Sequence, residues 1–159
     1  LSPALQIVEL PEESDTLEFG RRLGAALRAG DLVLLDGPLG AGKTVLARGI
    51  AAGMGVTGAV TSPTFVIARV HRPESGDGPE LVHVDAYRLA GLDEIDDLDL
   101  DTDLTDAAVV VEWGEGLAER LADSYLLLRI RRRDDDVREI SLEPHGETWS
   151  PRLAELLTR

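Results

Sequence analysis

The sequence predicts an α/β sandwich whose central sheet is largely parallel, with antiparallel additions. Three observations carry this. Short apolar runs of strand length alternate with helix-patterned stretches. One of them, Leu32–Leu35, is apolar at every position, as a strand covered on both faces should be. Near its end the chain switches to two alternating strands around an acidic turn. A length of 159 residues with 43% apolar content fits one domain, 1–159, with a core of Leu, Val, Ile and Ala, since aromatics make up only 4%.

In chain order, Ile7–Leu10 reads as a strand before Pro11. Ser14 or Asp15 caps a helix running to about Arg28, with Leu17, Leu23, Ala26 and Leu27 near one face and Gly30 as its stop. Leu32–Leu35 is the second strand. A glycine-rich turn follows, then a helix from Val45 to about Met54, broken by Gly53, Gly55 and Gly58. Phe65–Val70, Leu81–Val84 and Ala107–Val111 are further strands. An exposed loop over 72–80 and an acidic helix or loop over 93–106 separate them. A helix over 116–122 leads to the strands Tyr125–Arg131 and Glu139–Glu143 around Asp134-Asp135-Asp136, and Pro151–Leu157 closes the chain as a helix.

Composition excludes several classes. The absence of cysteine removes disulfides, thiolate zinc sites and thiol nucleophiles. No apolar run approaches the roughly 18 residues of a membrane span, and Leu1-Ser2-Pro3 shows no signal-peptide pattern. The expectation is a cytoplasmic protein with no membrane contact. A net charge of −14 opposes direct nucleic-acid binding, because most of the surface repels a phosphate backbone. Of the 16 basic residues one alone is Lys, and it is Lys43. A chain so committed to Arg keeps Lys where a compact ammonium suits the geometry better than a planar fork.

Lys43 lies in Gly37-Pro38-Leu39-Gly40-Ala41-Gly42-Lys43-Thr44, which satisfies G-x-x-x-x-G-K-[ST] at each required position, with an apolar strand before it and a helix after it. The glycines let backbone amides approach an oxyanion, and those amides and the following helix N-terminus form a positive cradle. Lys43 is placed to reach the β- and γ-phosphates and Thr44 to offer its hydroxyl to Mg2+. Such loops need a carboxylate at the end of a neighbouring strand. Asp85 ends one apolar run and Glu112 another, and either could contact the metal while the other orients water. Ser62 and Thr64, in Ser62-Pro63-Thr64-Phe65, stand where such folds sense the γ-phosphate, though a Pro-fixed turn is the plainer reading. Trp113 is either a stacking surface or core, and His83 reads as a neutral histidine in the core or behind the site rather than a general base. Arg129 and Arg131–Arg133 could touch a nucleotide or be neutralised by Asp134–Asp136.

The ordered set Gly37–Thr44 with Arg48-Gly49, Ser62-Pro63-Thr64-Phe65, His83-Val84-Asp85-Ala86-Tyr87-Arg88-Leu89 and Glu112-Trp113 resembles the bacterial TsaE (YjeE) family of small ATPases over roughly residues 5–145. The resemblance implies a P-loop NTPase-type three-layer sandwich and slow ATP hydrolysis with Mg2+, stimulated by a TsaB–TsaD partner pair. That assembly makes threonylcarbamoyladenosine beside the anticodon of tRNAs reading codons that begin with A. The TsaE-like subunit does not carry out the transfer and meets tRNA only through its partners. Carried over, Lys43 and Thr44 hold phosphates and metal, Glu112 is the metal-site carboxylate, Asp85 is an essential acid and Trp113 is the aromatic after the Glu. Thr16 corresponds to a position near the adenine pocket. Departures from the family pattern are Pro38, Val45 and Gly114, where an acid, a second hydroxyl and a proline are common.

The missing Asn, together with a single Lys, argues against a GTPase, which would read guanine with Asn-Lys-x-Asp. A small-molecule or nucleotide kinase and a nucleotide-switched assembly module with negligible turnover stay open as other readings of the same loop.

Overall fold

The computed structural model describes residues 6–38, 42–56, 68–71, 73, 78–85, 107–112, 124–146 and 148–157. They form one seven-stranded sheet and three helices: β1 (Gln6–Leu10), α1 (Glu13–Ala26), β2 (Leu32–Asp36), α2 (Lys43–Gly53), β3 (Ala68–His71), β4 (Glu80–Asp85), β5 (Ala107–Glu112), β6 (Tyr125–Arg132), β7 (Arg138–His145) and α3 (Trp149–Leu157). The strand order is β1-β7-β6-β2-β5-β4-β3. The four central strands, β6, β2, β5 and β4, run parallel. The outer strands β7, β1 and β3 are the antiparallel additions. The fold class read from the sequence therefore holds.

The reason lies in the alternation of buried residues. Val33, Leu35, Ala108, Val110, Leu126 and Leu128 belong to one apolar cluster with Leu23 and Phe19 of α1, Leu46 and Ile50 of α2 and Trp149 and Leu153 of α3. Their neighbours Leu32, Leu34, Val109, Val111 and Leu127 are buried too, on the opposite face. Strands apolar on both faces belong inside a three-layer sandwich.

Three details of α1 differ from the sequence reading. Its cap is Glu12, whose backbone N–H donates to the Asp15 carboxylate at 2.9 Å, so Ser14 falls inside the first turn. The helix ends at Ala26. Gly30, at φ 93°, instead makes the left-handed turn that sends its N–H to the Ala107 carbonyl, starting the pairing of β2 with β5. Leu17, expected on the inner face, is 38% exposed, and Thr16, Gly20 and Gly24 are buried instead.

The glycines have a steric purpose. Gly20 and Gly24 of α1 meet Gly49 and Gly53 of α2 backbone to backbone. A Cβ on Gly24 would stand 2.1 Å from the Ile50 carbonyl oxygen, and one on Gly53 would stand 2.1 Å from that of Arg21. Any larger residue would force the helices apart, and with them the first turns that carry Thr16 and Lys43. At the far end of α1, Arg152 of α3 binds Asp31 through both carboxylate oxygens at 2.8 Å and lies 4.0 Å over the Trp149 ring.

Candidate functional site

The parallel register gathers the strand ends at one pole. Leu35 stands opposite Glu112, and Glu112 opposite Asp85, so the ends of β2, β5 and β4 form one row. β2 leads from Asp36 into Gly37, and α2 returns from the turn with Lys43 as its first residue. Ligand crevices in open α/β sheets form at such strand ends.

Gly42 occupies the position before α2 with φ 113° and ψ 15°, a left-handed conformation that residues with a Cβ avoid. Among the described residues, a Cβ there would come within 4 Å only of Arg138 Nε, at 3.9 Å. The demand for glycine is therefore conformational. Lys43 is buried, with 6% of its surface exposed. Thr44 and Val45, in the same turn, are partly buried.

Glu112 is 4% exposed, an expensive place for a carboxylate. His83 on the adjacent strand answers it: the ring Nε2 donates to Glu112 Oε2 at 2.6 Å. Strand alternation turns both side chains toward the face covered by α1 and α2. His83 thus fixes one oxygen of the acid, in line with the reading of His83 as a residue behind the site. Thr44 in the first turn of α2 and Glu112 at the end of β5 carry oxygen donors, a chemistry that fits a hard cation. No cluster of three or more acidic or histidine ligands stands preformed among the described residues.

A cavity of about 320 Å3 adjoins the loop. Its walls come from the start of α1 with Thr16, from Gly42 and Val45, and from Arg132, Asp136 and Arg138 of the β6–β7 hairpin. Thr16 is 2% exposed, and its hydroxyl has no hydrogen-bond partner among the described residues.

Of the residues expected from the sequence, the fold brings Gly37, Pro38, Gly42, Lys43, Thr44 and Glu112 to one pole with the backbone of Asp85, and Thr16 borders the adjoining cavity. Leu39, Gly40, Ala41, Ser62, Thr64 and Trp113 lie outside the described residues, as do the helix over 116–122 and the acidic segment 93–106. The arginines of β6, and Arg133 just after it, are largely paired with acids: Arg129 with Asp36 at 3.0 Å and Glu143 at 3.3 Å, Arg132 with Asp136 at 2.5 Å, and Arg133 with Asp135 at 2.7 Å.

A family model described as "Threonylcarbamoyl adenosine biosynthesis protein TsaE" matches residues 10–140. The chain belongs to the TsaE family. A protein of Streptomyces coelicolor named "tRNA threonylcarbamoyladenosine biosynthesis protein TsaE" is 62% identical over 138 residues, 84% of this chain and 93% of its own length. Bacillus subtilis and Mycobacterium tuberculosis proteins of the same name are 38% identical over 92% of this chain and 61% over 77%, covering 89% and 77% of those relatives. Among solved structures, the crystal structure of Bacillus subtilis YdiB superposes with a TM-score of 0.79 at 30% identity, covering 98% of this chain and 95% of that one. These similarities bear out the TsaE resemblance and the fold.

Sequence reasoning missed Arg138, and Glu12 and Glu13 beside the expected Thr16, as cavity walls. The only available signal was topological: β6 runs parallel to β2, so the turn after β6 must lie at the pole where the loop after β2 lies. No helix among the described residues is long and apolar enough to cross a membrane.

Proposed function

We propose that this chain is the ATPase subunit of threonylcarbamoyladenosine synthesis on tRNA. In this reading residues 1–159 act as one ATPase domain in the cytoplasm. The domain binds ATP with Mg2+ on Gly37–Thr44, hydrolyses it slowly alone and faster with a TsaB–TsaD pair, and meets tRNA only through those partners. Membership of the TsaE family supports the pathway. The observation that carries the ATPase reading is Lys43, buried at the first turn of α2 directly after left-handed Gly42, beside a strand that ends in buried Glu112. A buried cation at the first turn of a helix and a carboxylate one strand away are parts of the apparatus a triphosphate requires.

The residues divide the work. The Gly42 and Lys43 amides and the Lys43 ammonium hold phosphate oxygens. Bound Mg2+ would offset charge on the β- and γ-phosphates, with Thr44 and Glu112 as its protein ligands and Asp85 as the second acid of the site. His83 keeps the Glu112 carboxylate in one orientation. Leu39, Gly40 and Ala41 complete the loop, with Ser62, Thr64 and Trp113 as further nucleotide contacts. The charge of −14 favours acting on tRNA through partners rather than by contact.

The test is phosphate release from ATP and Mg2+, with and without a TsaB–TsaD pair. Stimulation by the pair is expected. Release that ignores the pair would sink the proposed role, and phosphate transfer to an added nucleotide or metabolite would make the chain a kinase instead.

A further inference from the structure

An anion stands at the entry to the phosphate loop. Asp36, the last residue of β2, directly precedes Gly37, where a carboxylate opposes any phosphate the loop receives. We propose that Arg129 is a positioning residue for that site: it holds the Asp36 carboxylate against the sheet and cancels its charge. The proposal rests on the reading of Gly37–Thr44 as a phosphate site and deepens it.

The end of β2 is held from one side. Its pairing with β5 stops at Leu35 opposite Glu112, whereas its pairing with β6 runs one residue further, to Asp36 opposite Arg129. The two side chains continue that last pairing, since Arg129 Nη1 donates to Asp36 Oδ2 at 3.0 Å. Strand alternation puts both on the face away from α1 and α2, because their neighbours Leu35 and Leu128 belong to the cluster under those helices. The carboxylate is thereby kept across the sheet from the first turn of α2 with Lys43. Among the described residues Arg129 is its one side-chain partner.

Arg129 is itself braced. Its Nε donates to Glu143 Oε2 on β7 at 3.3 Å, so a residue of β6 ties β2 to β7 through one guanidinium. Glu143 Oε1 lies 3.5 Å from His145 Nε2, and the His145 ring stacks on Tyr125 with 4.5 Å between centroids. A planar fork serves two acids in fixed directions, as a point-charge ammonium does not. The Arg129 and Asp36 side chains are 43% and 25% exposed, so the pair adds little to stability. Its worth lies in the field at the loop entry, which reaches beyond the contact itself and fades with salt.

Calorimetric titration of the full chain with Mg·ADP tests this for wild type, Arg129→Gln, Asp36→Asn and the double variant, at low and at raised salt. Arg129→Gln should weaken ADP roughly fivefold at low salt, and raised salt should shrink that loss. Asp36→Asn, which removes the anion and leaves the cation, should bind ADP about twofold more tightly. The double variant has no charge left to cancel and should return to within about twofold of wild type. An arginine that only held strands together would show neither the rescue nor the salt dependence. Wild-type affinity in Arg129→Gln would overturn the proposal, as would a loss that persists in the double variant. If Arg129→Gln fails to fold, Asp36→Asn decides alone, since weaker binding there would mean that the carboxylate helps the site rather than burdens it. Wild type that binds no ADP would instead sink the phosphate-site reading, and this proposal with it.

Discussion

The buried pair His83–Glu112 and the hairpin pair Arg132–Asp136 have nearly the same length, 2.6 Å and 2.5 Å, and different physics. The first joins side chains 1% and 5% exposed across two central strands. The second joins side chains 54% and 70% exposed within one turn. Water screens the second pair and replaces either partner at small cost. Nothing replaces a partner in the first, so its loss leaves a polar group stranded in the core. Length says that a contact exists, and burial says what depends on it. By that measure the pole of β2, β4 and β5 concentrates the costly polar groups, and such concentrations mark sites of chemistry.

The largest expected effect is at Lys43. Lys43→Ala should reduce partner-stimulated phosphate release to background, because no other Lys exists in the chain to substitute. Turnover that persists would mean the buried pole is not the phosphate site, and the contrast with the hairpin would lose its functional meaning.

Next comes His83→Ala, which removes the donor to Glu112 and leaves a buried acid without it. A loss of roughly 1–3 kcal/mol in urea unfolding is expected, together with slower stimulated release because Glu112 is no longer oriented. His83→Gln, which restores an N–H donor on a side chain of comparable length, should recover part of both. Stability unchanged by His83→Ala would show that the core tolerates Glu112 unaided.

Much of this pole is legible in the sequence, and the reasons are local. Gly37–Thr44 carries its own chemistry in consecutive residues, and the runs ending in Asp85 and Glu112 announce themselves by apolarity. What depends on register is not legible. His83 and Glu112 are 29 residues apart, and only the β4–β5 pairing brings them together. The meeting of Gly20 and Gly24 with Gly49 and Gly53 likewise needs the crossing of two helices. The helix cap went to Glu12 rather than Ser14 because Asp15 could accept the Glu12 N–H, a choice among adjacent polar residues that propensity ranks poorly. The inward face of α1 holds Leu23 and Leu27 as expected and turns Leu17 outward for a related cause. Beside Phe19 and Leu23, the small residues Thr16, Gly20 and Gly24 are buried there, and at Gly20 and Gly24 α2 approaches too closely for leucine.

At the hairpin the expected effects are small. Arg132→Ala should leave the urea midpoint near wild type at moderate salt, since the pair it breaks is exposed and screened. A midpoint that falls as far as for His83→Ala would break the comparison outright, because exposure would then not govern cost.

The smallest effect is the most diagnostic of sign. The Asp136 carboxyl is held below its ordinary value of 3.8, first by the hydrogen bond from Arg132 and then by the charge of that guanidinium, with slight burial opposing and Arg138 adding. A carboxyl lowered in the folded state contributes stability that is complete above the ordinary value and is lost as pH falls through the lower folded one. Asp136→Asn is the suitable variant because asparagine also accepts the left-handed backbone at φ 67°, so the turn survives and only the charge goes. Urea midpoints measured for both proteins from neutral pH down to about 3 should differ slightly at neutral pH and converge under acid. Raised salt should narrow the gap at neutral pH as well. A gap that widens under acid would mean that Asp136 acts through its protonated form, and the hairpin pair would no longer be a simple exposed contrast to the buried one.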